Sequence, residues 1–217
     1  IALSWVAHDN LCLDNLYRNG SEEIRKKYVP KLCSGEFIGA LGLTEPGSGS
    51  DALGSMKTTA KKVGDYYIIN GSKTYITNGS IADIVLIYAK TETNKGNKGI
   101  STFLVETKSQ GFNVVSKLKK MGYRGSQTAE LFFENLKVHK NNMIGTEGSG
   151  HITVMNGLDF ERAMIAPICL GISERALEIS VEYAKIREQF GKPISSFQMI
   201  QSKIADMYTW VESIKSL

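Results

Sequence analysis

The strongest constraint on this 217-residue chain is a change of hydrophobic period along its length. Residues 1 to 36 and 147 to 217 carry apolar side chains at near-helical spacing, while the residues between break into short β-rich runs separated by turn signals. In the first segment Ile1, Leu3, Val6, Leu11, Leu13 and Leu16 set the helical stripe. Asn19-Gly20 stops it. Ser21 is placed to cap the next helix, with Glu22 and Glu23 in its first turn where the helix dipole favours acids, and Ser34-Gly35 ends that helix.

Strand-like runs follow at 37–44, 56–63, 66–69, 73–77, 84–90, 100–106, 112–118 and 129–138. Asn70-Gly71 predicts a hairpin turn between 66–69 and 73–77, since both residue types tolerate positive φ. Strands at this spacing predict a small antiparallel barrel or sandwich. Leu158 to Ala184 then predicts one long apolar helix, strained at Pro167 and Gly171. Phe190-Gly191-Lys192-Pro193 reads as its stop, and another helix starts near Ser196. The expected class is therefore α+β and multi-domain: helices, an antiparallel β-barrel or sandwich, then helices. The boundaries read as 1–36, 37–145 and 146–217.

With 42% hydrophobic and 22% charged residues the chain is ordinary globular material. Its net charge of +4 comes from scattered lysines and short runs that read as solvated faces. No basic helix with interleaved aromatics argues for nucleic acid, and no apolar run reaches membrane-spanning length. Cys12, Cys33 and Cys169 are odd in number and far apart, so neither a disulfide framework nor a zinc site is expected; a reducing compartment fits. His8, His139 and His151 are too dispersed for a metal cluster. The chain opens and stops in mid-pattern, so it reads as a piece of a longer protein, and the lack of a visible targeting signal carries no weight.

The stretch Leu41-Gly42-Leu43-Thr44-Glu45-Pro46-Gly47-Ser48-Gly49-Ser50-Asp51 invites a ligand. A strand-like run feeds into a loop of small residues, where backbone N–H groups can be approached closely and hydroxyls add donors. By itself such a loop is more often a turn than a site. It is not a P-loop, because no Gly-Lys-Ser/Thr is present.

Three further stretches follow it in order: Lys73-Thr74-Tyr75-Ile76-Thr77-Asn78-Gly79, Met121-Gly122-Tyr123-Arg124-Gly125-Ser126 and Arg187-Glu188-Gln189-Phe190-Gly191. Together the four resemble the acyl-CoA dehydrogenase family of flavoproteins, over essentially the whole chain. The resemblance implies the end of a helical domain, a complete middle β domain and the opening of an incomplete C-terminal helical bundle, about half of a family member. It implies FAD as cofactor, an acyl-CoA substrate, an electron-transfer flavoprotein as acceptor and a homo-oligomer built as a dimer of dimers.

Carried over residue by residue, the resemblance implies that Leu41, Leu43 and Thr44 touch the flavin ring, with Thr44 near N5. Gly49 and Ser50 match positions on the flavin diphosphate and, for Ser50, the acyl-CoA. Tyr75, Ile76 and Thr77 match the segment on the other side of the flavin; most relatives carry Trp where this chain has Tyr75, which changes the local fit. Asn97, Lys98, Ile152, Asp159 and Arg162 match substrate-contacting positions, although the loop at Asn97-Lys98 is shorter than in isovaleryl-type relatives. Arg187, Phe190 and Gln198 match residues that reach the FAD of a neighbouring subunit, where the planar guanidinium suits phosphate. Read without the resemblance, Arg187 equally closes a helix C-terminus. Arg124 is expected to be structural.

Glu161, in Leu158-Asp159-Phe160-Glu161-Arg162, is the expected catalytic base. By spacing alone it is one more charge on a helix face. Most family members place the base on a late C-terminal loop that this chain lacks; the isovaleryl and long-chain types carry Glu here, and the surrounding residues resemble the isovaleryl type. Removing a proton α to a thioester requires a carboxylate with its pKa raised in a water-poor pocket, and in the family the β-hydrogen leaves as hydride to the flavin. The resemblance thus implies dehydrogenation of a short branched acyl-CoA, isovaleryl-CoA to 3-methylcrotonyl-CoA. Alternatives are a long-chain acyl-CoA dehydrogenase, a flavin oxidase of the same fold, or a non-catalytic fragment. The matrix of a mitochondrion or the cytoplasm of a bacterium is the expected compartment.

Overall fold

The computed structural model describes residues 2–216, which form two compact units, divided between Glu161 and Arg162. The first unit opens with α1 (Ala2–Val6), a π-helical stretch Ala7–Leu13, α2 (Asp14–Asn19) and α3 (Glu22–Cys33). Ser21 caps α3 as predicted: its Oγ accepts from the Ile24 amide at 3.3 Å. The wider π-helical turn was not legible in the periodicity. Its His8 is a brace, accepting from the Gly39 amide through Nδ1 at 2.9 Å while Nε2 lies 3.1 Å from the Leu32 carbonyl.

The strands are β1 (Gly39–Gly42), β2 (Thr59–Val63), β3 (Tyr66–Thr77), β4 (Ile84–Lys90), β5 (Ile100–Glu106), β6 (Phe112–Lys117), β7 (Thr128–His139) and β8 (Met143–Ile144). They make one eight-stranded sheet in the order β6-β7-β3-β2-β4-β5-β8, with β1 also on β4. The expected antiparallel barrel is corrected on two counts. The path is open rather than closed, and β1 and β2 both run parallel to β4. Strand β4 is the near-continuous run Ile84-Val85-Leu86-Ile87-Tyr88-Ala89 because it is covered on both faces.

The alternation along β4 divides the core. Val85, Ile87 and Ala89 face a cluster in which β3 and β7 lie across from β4 and β5, with the Tyr67 and Phe103 rings 5.0 Å apart. That part of the sheet has the packing expected of a sandwich. Ile84 and Leu86 face the helices, packing on Cys12, Leu16, Ile24, Tyr28 and Leu32. Tyr28 also donates to Glu106 at 2.6 Å, tying α3 to the end of β5.

The predicted hairpin at Asn70-Gly71 is also corrected. Residues 66–77 form one strand, and the tight turn is Gly64-Asp65, between the paired Val63 and Tyr66. Gly64 takes the positive φ of +58° that such a turn needs. Gly71 marks an irregularity in the β3–β7 register instead. A Cβ there would stand 2.5 Å from Thr58 Oγ1, so the glycine serves a close approach of two backbones.

Helix α4 (Gly150–Ile186) starts eight residues before the predicted Leu158, and its last part belongs to the second unit. Pro167 and Gly171 lie inside it without ending it. In the second unit Phe190 and Gly191, at φ of 53° and 73°, turn a two-residue hairpin between β9 (Glu188–Gln189) and β10 (Lys192–Pro193), and α5 (Gln198–Lys215) follows. The stop at Phe190-Gly191 is therefore a β-turn rather than a helix cap.

Candidate active site

Leu41 and Leu43, at the end of β1 and just beyond it, pack with Leu53, Met56, Tyr88, Ile100, Val154 and Leu158. This small cluster gathers three regions that are far apart in sequence: the Gly/Ser loop, the central strands and the start of α4. Leu158 and Glu161 are spaced i, i+3, so they share a side of α4. Glu161 is half-buried, whereas Asp159 and Arg162 are exposed. Two contacts anchor this turn of α4. Gly157 lies so close to Asn15 that a Cβ would meet its Nδ2 at 2.4 Å, and the Arg18 guanidinium sits 5.4 Å over the Phe160 ring.

The loop itself is held by Glu45, which sequence reasoning did not single out. Its carboxylate accepts from the Lys57 amide at 2.6 Å, the Thr58 amide at 2.9 Å and Lys73 Nζ at 2.9 Å, and Lys73 also donates to the Leu43 carbonyl at 3.0 Å. Burial drives the Glu45 carboxyl upward, but the Lys73 charge and the two amides outweigh it and hold it below 4.5. Burial lowers Lys73 to about 8, with Glu45 opposing part of the shift. The signal was present in the sequence only as Glu in a Thr-Glu-Pro loop and Lys in a strand. Nothing in either pattern says that the two meet.

With both ends of the loop fixed, its tip is left bare. The amides of Gly47, Gly49 and Ser50 and the hydroxyls of Thr44, Ser50 and Thr77 make no hydrogen bond among the described residues. No atom stands within 4 Å of a Cβ placed on Gly47. The Thr44 carbonyl accepts from the Thr74 amide at 2.9 Å, which brings the loop beside the Tyr75–Thr77 end of β3. Tyr75 is 69% exposed and sits at φ 59°, within the register shift between Lys73 and Ile76. Ile76 faces inward into the sheet core.

Asn97 and Lys98 lie in the 3-10 segment Thr93–Gly99, both exposed. The Lys98 carbonyl comes within 2.6 Å of where a Cβ on Gly148 would stand, so this segment meets the turn that leads into α4 and to the exposed Ile152. Arg187, Phe190 and Gln198 belong to the second unit. All three are exposed, Phe190 by 92%, and the Phe190 ring meets Phe197 edge-on at 6.1 Å.

Known proteins carry the same pattern. Models of the acyl-CoA dehydrogenase N-terminal, middle and C-terminal domains match residues 1–36, 40–136 and 148–217. This chain belongs to the acyl-CoA dehydrogenase family. The mitochondrial isovaleryl-CoA dehydrogenase of Arabidopsis thaliana is 48% identical over 216 residues, covering 100% of this chain and 53% of the relative. An acyl-CoA dehydrogenase of Bacillus subtilis is 49% identical over 198 residues, 91% of this chain and 52% of that protein. Butyryl-CoA dehydrogenase from Megasphaera elsdenii superposes with a TM-score of 0.94 at 44% identity, over 98% of this chain and 55% of that one. Glutaryl-coenzyme A dehydrogenase, solved with glutaryl-CoA, gives 0.93 at 40% identity, over 97% and 53%. The chain spans about half the length of the curated relatives it matches. Family members thus share the order of helices, mixed sheet and helices, and the loop held by Glu45 and Lys73 lies within the matched middle domain.

Proposed function

We propose that the full-length protein is an FAD-dependent acyl-CoA dehydrogenase acting on a short branched acyl-CoA, isovaleryl-CoA, with Glu161 as its base. The observation that carries this reading is the packing of Leu41 and Leu43 against Leu158, one turn from Glu161. It supports the reading because the candidate cofactor segment shares one apolar cluster with Leu158, three residues before the candidate base. The likeness to isovaleryl-CoA dehydrogenases supports the substrate, and the breadth of butyryl- and glutaryl-CoA relatives is why substrate length is part of the test.

The donors on this chain fit a flavin nucleotide. Bare amides at Gly47, Gly49 and Ser50 suit an anionic diphosphate, and the Thr44 and Thr77 hydroxyls suit the polar edge of the ring, with Leu41, Leu43 and the exposed Tyr75 ring as its apolar surroundings; Ile76, its side chain buried in the sheet core, contributes backbone only. Bound FAD supplies the two-electron acceptor. The chain supplies position and proton transfer: Ser50, Asn97, Lys98, Ile152, Asp159 and Arg162 hold the acyl-CoA, and Glu161 takes the proton from its α-carbon. Arg187, Phe190 and Gln198 complete the FAD site of a neighbouring subunit, which makes the active form a homo-oligomer, a dimer of dimers. Electrons leave to an electron-transfer flavoprotein. No helix among the described residues is long and apolar enough to cross a membrane. The compartment is the mitochondrial matrix in a eukaryote and the cytoplasm in a bacterium. The domains divide at 1–36, 37–145 and 146–217.

The test is anaerobic addition of isovaleryl-CoA to the full-length protein and to Glu161→Gln. The flavin band bleaches in wild type, and the rate falls by roughly 10²–10⁴ in the variant with FAD retained. Equal bleaching in both removes Glu161 from the reaction. Faster bleaching by a long straight-chain acyl-CoA reassigns the substrate to the long-chain type.

A further inference from the structure

Between the end of β6 and the start of β7 the chain forms a cleft of about 500 Å³, which none of the candidate site residues lines. Lys117, Lys119, Lys120 and Arg124 line it, and no carboxylate does. None of the four cations has an ion-pair partner among the described residues, although many other lysines of the chain do. Lys120 donates to the Ser126 carbonyl, and the Arg124 Nε donates to the Lys120 carbonyl at 3.2 Å. These bonds fold the loop back on itself, and all four cations line the one cleft. The nearby Glu130 accepts from Ser116 at 2.8 Å and Thr74 at 3.4 Å and forms no ion pair with any of the four cations.

A second observation comes from Ser126, which also lines the cleft. It is 2% exposed, and its Oγ has no hydrogen-bond partner. A buried hydroxyl without a partner is uncommon, and a wall of four unpaired cations repels itself. Both costs are removed by one oxyanion that accepts from the hydroxyl and from the cations. The cleft lies beside the flavin-candidate strand, since Thr128 on its wall pairs with Thr77, yet it shares no residue with the Gly47–Ser50 loop.

We propose that this cleft binds a phosphate-bearing ligand, with Ser126 as the neutral donor and Lys119 and Arg124 as the charged ones. Titration calorimetry on the purified full-length protein, at fixed ionic strength, tests this with inorganic pyrophosphate and with adenosine 5′-diphosphate. Saturable pyrophosphate binding is expected. Lys119→Gln/Arg124→Gln weakens it by roughly tenfold, about 1.4 kcal/mol, and Ser126→Ala by a few-fold. The charge-matched control Lys61→Gln/Lys108→Gln, at exposed sites away from the cleft, leaves it unchanged. Adenosine diphosphate binding at least as tightly as pyrophosphate assigns the cleft to a nucleotide, and its exclusion assigns it to a small free phosphate; both support the proposal. No saturable binding at millimolar pyrophosphate overturns it, and so does equal weakening by cleft and control variants. Unchanged thermal midpoints show that the variants remain folded.

Discussion

Lys73 Nζ lies 2.9 Å from Glu45 Oε1, with the Lys73 side chain 0% and the Glu45 side chain 6% exposed. The pair joins the loop that follows β1 to the middle of β3, and it is the fixed point from which the bare tip at Gly47–Ser50 extends. Breaking a buried pair leaves an uncompensated charge, which costs about 3–5 kcal/mol. Lys73→Met alone is therefore expected to destabilise the fold by that amount, read from the midpoint and slope of urea unfolding. Glu45→Gln/Lys73→Met recovers a substantial part of the loss, because neither charge is then stranded. A single variant with wild-type stability removes the pair from this role.

Acid should act through the same carboxylate. The folded-state pKa of Glu45 is held below 4.5 by Lys73 and the amides of Lys57 and Thr58, against the opposing effect of burial. The unfolded state therefore binds the proton more readily, so the stabilisation is fully present above 4.5 and fades as pH falls through the folded value. The stability difference between wild type and Glu45→Gln is expected to be constant from neutral pH down to about 5 and to shrink below it. A difference that stays constant to pH 3 contradicts the assignment.

Tyr75 carries a strained backbone at a candidate ligand site. Its φ of 59° is costly for an aromatic residue, and its ring is 69% exposed, so little packing repays the strain. Tyr75→Gly is expected to raise the thermal midpoint, by about 1 kcal/mol of stability, while lowering flavin retention on dilution. Tyr75→Trp, which keeps the aromatic face, retains flavin. Loss of stability in Tyr75→Gly shows that the ring packs in the folded protein after all.

Gly71 offers the opposite outcome. At φ 147°, with a Cβ meeting Thr58 Oγ1 at 2.5 Å and Thr58 Cα at 2.7 Å, Gly71→Ala must push two strands apart. The expected cost is about 1–3 kcal/mol, typical of forced overpacking. Gly64→Ala, in the open turn, is expected to cost about 1 kcal/mol, from positive φ alone. Equal costs at the two positions contradict the close approach.

Local pattern determined a good deal about this protein. The stop at Asn19-Gly20, the Ser21 cap, the runs at 84–90 and 100–106 and the long apolar helix are each set by neighbours within a turn or two, so they are readable in order. The motifs at 41–51, 73–79 and 187–191 marked the family for the same reason, as short contiguous stretches. What the tertiary structure decided depends on residues far apart. Asn70-Gly71 has the chemistry of a hairpin, but 66–77 runs on as one strand beside β7, with the glycine at a register shift. The antiparallel expectation for the sheet holds for most of its pairs and is corrected where β1 and β2 run parallel to β4, because strand direction is not written in either strand. The meeting of Glu45 with Lys73, and of Leu41 and Leu43 with Leu158, has no local signature at all. Such contacts form because burying apolar surface and pairing a buried charge are properties of the assembled core, to which each segment contributes only one side.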